Sequence, residues 1–310
     1  MVADVVVYRD DQAVVRMRDF GMQIREKDGA PFRPGDGGVS PFLGRTSSRG
    51  VPTVVNELQL AHAARGDLGT AMGPEFDVYG DRRAPHIPNR DFQFVDRIES
   101  VTGARGALAP GMVMVSEYDA HADSWYFREN PAGAMPHAVL LESSLQAAIL
   151  LGYYQGATLD QPDVEFAIRN LDGSAELVAP VPAPGSTIRQ RTELVSSSAV
   201  QGNVLQRFRY ELSGPDGPFY RGESVFGYFS DDALATQVGL DAGRRTVPES
   251  LRAGAGEPDA VLDGAALAAR HRGRPDRLAL PGGRLDLLDE VRIHLDAGPP
   301  GSGASGAGGT

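Results

Sequence analysis

Residues 138–151 read AVLLESSLQAAILL, a run whose apolar side chains fall on nearly every face of an α-helix, with Glu142 and Gln146 as its large polar groups. A helix that is apolar all round has no face to offer water, so it must be enclosed, and the enclosing element decides the fold. Met135-Pro136-His137 leads into the run and puts a proline in the first turn, while Gly152 stands near its end. Because the run contains Glu142 and Gln146, no membrane span is expected. Charge is met after only a few apolar residues of MVADVVVYRDD, so no signal peptide is expected either.

Strand-like segments lie on both sides of the helix. Three follow it, 186–196 (STIRQRTELVS), 203–213 (NVLQRFRYELS) and 219–230 (FYRGESVFGYFS), rich in alternation and in β-branched or aromatic residues. Gly214-Pro215-Asp216-Gly217 reads as a hairpin turn between the last two. Two more precede it, 92–101 (FQFVDRIESV) and 111–118 (GMVMVSEY), the second followed by Trp125-Tyr126-Phe127. One buried helix gripped by a long antiparallel sheet is an α+β arrangement, the hotdog.

With Gly 38 and Pro 22 in 310 residues, much of the chain reads as connection. The expected organisation is a terminal hairpin over 1–27, a linker over 28–85 with one modest helix at 56–65, and the hotdog domain over 86–240. A second linker over 241–280 and a last piece over 281–310 with a Gly/Ser tail complete it. The chain also repeats itself faintly: 88–101 resembles 281–294, with Phe92, Phe94, Val95, Asp96 and Ile98 falling on Leu285, Leu287, Leu288, Asp289 and Val291. On this reading, 1–27 closes a preceding hotdog and 281–310 opens a following one.

The formal charge of -11 leaves no basic stripe to neutralise phosphates, so nucleic acid is not an expected partner. The absence of cysteine removes disulfides, thiolate metal sites and a Cys nucleophile, and fits a cytoplasmic setting. His62, His86 and His121 show no ligand spacing, so no metal is expected. Arg189, Arg191, Arg207 and Arg209 read as solvated strand faces.

Within the helix, Gln146 lies four residues after Glu142 and shares its face. A carboxyl group desolvated in such a setting can stay protonated and serve as an acid. The amides near His137 and Ala138 open the helix at the positive end of its dipole, where a developing oxyanion would sit. Trp125 and Phe127 either line a channel or fill the core.

These residues resemble a family. Met135-Pro136, then Glu142 and Gln146, are similar to the helix start of bacterial 3-hydroxydecanoyl-carrier-protein dehydratases, where a Met-Pro-Gly turn precedes an Asp and a Gln four residues on. A closer resemblance is to dehydratase regions of polyunsaturated-fatty-acid synthases and related iterative synthases. It is carried by Glu117-Tyr-Asp-Ala-His-Ala-Asp-Ser-Trp-Tyr-Phe and Met135-Pro-His-Ala-Val-Leu-Leu-Glu-Ser-Ser-Leu-Gln, and reaches from about Phe92 to Gly239. The resemblance implies a hotdog fold and elimination of water from a 3-hydroxyacyl thioester. The substrate would be carried on the phosphopantetheine of an acyl carrier protein, with neither a metal nor a dissociable cofactor. Glu142 and Gln146 are the implied catalytic residues; Trp125, Phe127, Asn130, Met135, Pro136, His137 and Ala138 are the implied substrate-binding residues.

One departure stands out. Where the family has a catalytic His before the Met-Pro turn, this chain has Arg128 or Asn130, depending on which end the count starts from, and neither takes a proton from carbon at neutral pH. His137 replaces the turn glycine and reads either as a substitute base or as a satisfied surface His. In that family the base and the acid come from two hotdogs, so an adjacent hotdog is the expected partner for Glu142, and an exposed sheet edge would also let two copies pair as a homodimer. A non-catalytic scaffold and a hotdog thioesterase stay open as alternatives.

Overall fold

The computed structural model describes residues 2–9, 12–21, 45–79, 86–106, 109–237, 257–272, 274, 280–294 and 306–309. The parts of the expected linkers and tail at 22–44, 80–85, 238–256 and 295–305 lie outside the described residues. Strands β1 (Val2–Arg9) and β2 (Gln12–Gly21) pair as the expected antiparallel hairpin, in a sheet of their own.

Helix α1 (Glu57–Arg65) opens with a capping box: the Asn56 side chain accepts the Gln59 N–H, and the Gln59 side chain accepts the Asn56 N–H. Helix α2 (Leu68–Met72) and a 3-10 turn (Pro74–Tyr79) follow directly. From sequence this stretch reads as linker with one helix at 56–65; α1 is that helix, and the stretch around it is packed core instead of linker. Val55, Leu60, Ala63, Leu68, Phe76 and Tyr79 are buried in one cluster with Ala147, Leu150 and Leu151 of the central helix. Their elements are short and broken by Gly and Pro, so no apolar period is long enough to show.

The main sheet contains β3 (Arg97–Thr102) and β4 (Val113–Asp119), followed by helices α3 (Trp125–Glu129) and α4 (His137–Gln155). It is completed by β5 (Phe166–Leu177), β6 (Thr187–Val200), β7 (Asn203–Gly214) and β8 (Gly217–Ser230). The strands lie in the order β3-β4-β6-β7-β8-β5, every neighbour antiparallel. Alternation sets the faces: Val204, Gln206, Phe208, Tyr210 and Leu212 are buried, while Arg207, Arg209 and Glu211 point outward. The strand arginines are ion-paired there, Arg209 with Glu223 at 2.9 Å and Arg191 with Glu193 at 3.0 Å. Gln201 (φ 49) and Gly202 (φ 80) form the two-residue left-handed turn that joins β6 to β7.

Helix α4 carries the chain from β4 to the far edge strand β5 and crosses the inner face on the way. Its Ser144 carbonyl accepts from Gln190 of β6 at 3.0 Å, and its Gln155 accepts from Gln206 of β7 at 2.6 Å. An enclosed helix on a sheet of this order is the hotdog fold. The helix ends at Gly156, left-handed at φ 88, not at Gly152. Gly152 lies inside the helix for a different reason: a Cβ there would run into Tyr228 Oη and would meet Gln206 Oε1 at 2.6 Å.

After α5 (Asp231–Ala235) the described chain resumes with β9 (Ala260–Asp263), α6 (Gly264–His271), a 3-10 turn (Gly283–Leu285), β10 (Glu290–His294) and β11 (Gly306–Gly309). The last three strands form a sheet in the order β11-β10-β9, so residues 260–271 are also more than linker. The 3-10 turn docks on α3: Arg284 N–H donates to Glu129 Oε2 at 2.6 Å, and its guanidinium pairs with Asp91 and lies 5.2 Å over the Trp125 ring. Among the described residues no helix is long and apolar enough to cross a membrane.

Candidate active site

Ala138, Glu142 and Gln146 recur every four residues and so lie along one face of α4. Their burial grades along the helix: Ala138 is exposed, Glu142 half-buried and Gln146 fully enclosed. Gln146 is held at both ends. Its oxygen accepts the Phe94 N–H at 2.8 Å, and its Nε2 donates to the Phe92 carbonyl at 2.6 Å and to Glu142 Oε1 at 2.9 Å. Ser143 adds a bond to the Phe94 carbonyl at 3.2 Å. Glu142 is thereby oriented from one side, half-buried at the boundary between solvent and core.

At the helix start, the Val139 and Leu140 amides donate to the Pro136 carbonyl at 3.0 and 3.2 Å. The His137 and Ala138 amides precede them, in the turn that has no intrahelical acceptor to offer. His137 is exposed, and its Nε2 lies 3.1 Å from the Tyr220 hydroxyl, which burial pushes up so that it stays protonated. Among the described residues no histidine nitrogen is in hydrogen-bond contact with Glu142.

The remaining expected residues lie in the packed core and on the loop before the helix. Trp125, Phe127 and Met135 are buried in a second cluster with Phe94, Tyr126, Leu140 and Tyr220, and Trp125 Nε1 donates to the Asp91 carbonyl at 2.9 Å. Asn130 donates to the Ala134 carbonyl at 2.7 Å and accepts the Ala132 N–H at 3.1 Å. Its amide is thus used on the loop that precedes Met135, not turned toward Glu142.

A polar cluster under the 45–55 segment is not foreseen from sequence. Buried Arg97 donates Nε to Glu117 at 2.7 Å and grips Asp119 with both terminal nitrogens, at 2.6 and 2.8 Å. Ser48 donates its N–H and hydroxyl to the same Glu117, at 2.8 and 2.5 Å. Burial pushes Asp119 up, but the Arg97 and Thr187 bonds outweigh it and hold the carboxyl low. Asp96 accepts the Asp119 N–H at 2.7 Å, yet burial dominates and lifts its carboxyl to about 6. The available signal was the charge inside two otherwise apolar strands, Asp96-Arg97 in one and Glu117 with Asp119 in the other. Among the described residues no group of three His, Asp or Glu side chains could hold a metal ion.

No protein-family profile matches the chain. Over 198 residues, 61% of its length, it is 32% identical to one of the subunits of a polyunsaturated fatty acid synthase from Thraustochytrium sp.. The hotdog fold thus coincides with a similarity to part of a polyunsaturated fatty acid synthase subunit. The resemblance carried by the Trp125-Tyr126-Phe127 and Met135-Pro136 segments therefore holds. The chain spans 13% of that relative's length. Among solved structures it is similar to a dehydratase heterocomplex from Xenorhabdus doucetiae, with 13% identity over 47% of this chain and 90% of that one at a TM-score of 0.37. A hot-dog-like protein from Thermanaerovibrio acidaminovorans gives 17% identity, 44% and 96% coverage and a TM-score of 0.33. At such scores the fold assignment rests on the strand order and the enclosed helix of the chain itself.

Proposed function

We propose that this synthase-like region is a dehydratase unit for 3-hydroxyacyl groups carried on the phosphopantetheine of an acyl carrier protein, in a cytoplasmic synthase. A base removes the α-proton, the freed electron pair forms the 2,3 double bond, and the β-hydroxyl leaves as water with a proton from Glu142. Gln146 fixes the carboxyl, and the His137 and Ala138 amides receive the charge that builds on the thioester oxygen. The base is a histidine supplied by a neighbouring hotdog, an adjacent unit of the synthase, because the corresponding segment of this chain holds Arg128 and Asn130 instead. The observation that carries this reading is the Gln146-held Glu142, at the point where α4 passes from solvent into the core. The similarity to part of a polyunsaturated fatty acid synthase supports it.

A second reading is favoured by the use of Asn130 in loop closure and by the lack, among the described residues, of a His contact at Glu142: a scaffold hotdog that pairs with an active one. Mass spectrometry of a 3-hydroxyacyl carrier protein, incubated with this chain alone and with a longer stretch of its synthase, separates the two. Loss of one water in the longer form, abolished by Glu142→Gln, is expected. Full dehydration by the Glu142→Gln form would assign the region to the scaffold.

A further inference from the structure

Among the described residues, a bridge, a capped helix, a 3-10 turn and a strand follow one another in 258–272 and 280–294 as they do in 52–102, where α2 and the turn at Pro74–Tyr79 are additional. Asp263 caps α6 by accepting the Ala266 N–H, as Asn56 caps α1 by accepting the Gln59 N–H. Just before each helix the chain pairs antiparallel with a later strand, Leu262 with Val291 and Val55 with Ile98. Each later strand is preceded by a 3-10 turn opening on a left-handed residue, Gly283 at φ 56 and Arg90 at φ 57. A non-glycine residue in that region is uncommon, so its sharing is not a generic turn feature. The same bonds close both turns. Phe92 and Gln93 donate to Asn89 and Arg90 at 3.2 and 3.1 Å; Leu285 and Asp286 donate to Gly282 and Gly283 at 3.1 and 3.3 Å.

What covers the two copies differs. Phe94 and Val95 are each 2% exposed, whereas their counterparts Leu287 and Leu288 are 78% and 53% exposed. In the first copy, α4 reads the backbone through Ser143, which donates to the Phe94 carbonyl, and Gln146, which takes the Phe94 N–H and donates to the Phe92 carbonyl. The matching groups in the second copy are the Leu287 carbonyl and N–H and the Leu285 carbonyl. On the edge of β10 where β4 would pair stand only Gly306–Gly309, which bring almost no side chain.

We propose that residues 258–272 and 280–294 form the seat of a further hotdog unit, and that its occupant is an apolar helix carrying Ser-x-x-Gln in the register of Ser143 and Gln146. Arg270 and His271 stand where Ala63 and Ala64 are buried, so the occupant rests on the turn and β10 more than on α6. Docking of Arg284 on Asp91 and Trp125 places this seat beside α3 of the complete unit.

The chain has no cysteine, so Leu287→Cys introduces a single thiol at an exposed position. Its maleimide labelling rate is compared between the full chain and the full chain extended after Thr310 by a second copy of its own residues 111–237. At least tenfold slower labelling in the extended protein is expected, and Ser143→Ala with Gln146→Ala in the appended copy alone should return the rate toward that of the single chain. Equal rates in single and extended proteins overturn the seat, as does an appended copy that proteases digest like an unfolded tail. Protection that survives removal of both side chains overturns the Ser-x-x-Gln recognition.

Discussion

The side-chain oxygen of Gln146 takes the backbone N–H of Phe94 at 2.8 Å, which ties the central helix to the segment entering β3. Both are buried, so the bond has no water to replace it. Gln146→Ala leaves the buried Phe94 N–H unpaired and should cost about 1–3 kcal/mol. Urea unfolding measures it; a loss within experimental error would show that this group finds another partner.

Gly152→Ala isolates a steric effect. Alanine gains about 1 kcal/mol of helix propensity over glycine, yet its Cβ would run into Tyr228 Oη and meet Gln206 Oε1 at 2.6 Å. A net loss of about 1–3 kcal/mol is expected from overpacking. In a Tyr228→Phe background the loss should shrink, because the nearest atom is gone. Thermal melts of the four proteins in that cycle decide it, and an undiminished loss in the double variant would place the clash elsewhere.

Asp96 makes stability depend on pH with a definite sign. Its carboxyl stands at about 6 in the folded chain against 3.8 as a free side chain, because burial disfavours the charge. The folded state therefore binds this proton more tightly. The contribution favours folding below about pH 4 and is lost as pH rises to about 6, by a span on the order of 3 kcal/mol. Asp96→Asn should equal the parent near pH 4 and exceed it by about 1–3 kcal/mol near pH 8. Urea midpoints across that range test this; a gap that narrows with rising pH would reverse the assignment.

Trp125 is the single tryptophan and lies beneath Arg284, whose guanidinium is 5.2 Å over its ring. Arg284→Ala should shift the emission to the red as the 3-10 turn over 283–285 releases the ring, with a stability change of less than about 1 kcal/mol because the Arg284–Asp91 ion pair it removes is exposed. An unchanged spectrum would mean that the turn stays docked without its arginine.

The central helix was legible because its fourteen-residue core, AVLLESSLQAAILL, can only be enclosed, and β6 to β8 because alternation and turn residues agree. Glu142 and Gln146 were legible as a pair from their spacing, but the anchoring of Gln146 on Phe92 and Phe94 was not, since it joins residues more than fifty positions apart. The packed 45–79 segment and the Arg97 cluster escaped for the same reason: each depends on a long-range partner, Ala147 or Leu150 for one and Glu117 with Ser48 for the other. The close approach of Tyr228 to Gly152 was not legible, since nothing near Gly152 in the sequence points to a residue 76 positions away.

The grip of Ser48 on Glu117 bears on how such a unit can be excised. A fragment trimmed to begin at residue 86 would strip the lid from Ile98 and Leu150 and leave a buried carboxylate facing Arg97 without its second clasp. The natural edge of this body therefore lies upstream of the composition break, and any expression boundary drawn at the prolines near 85 and 88 would cut through its interior.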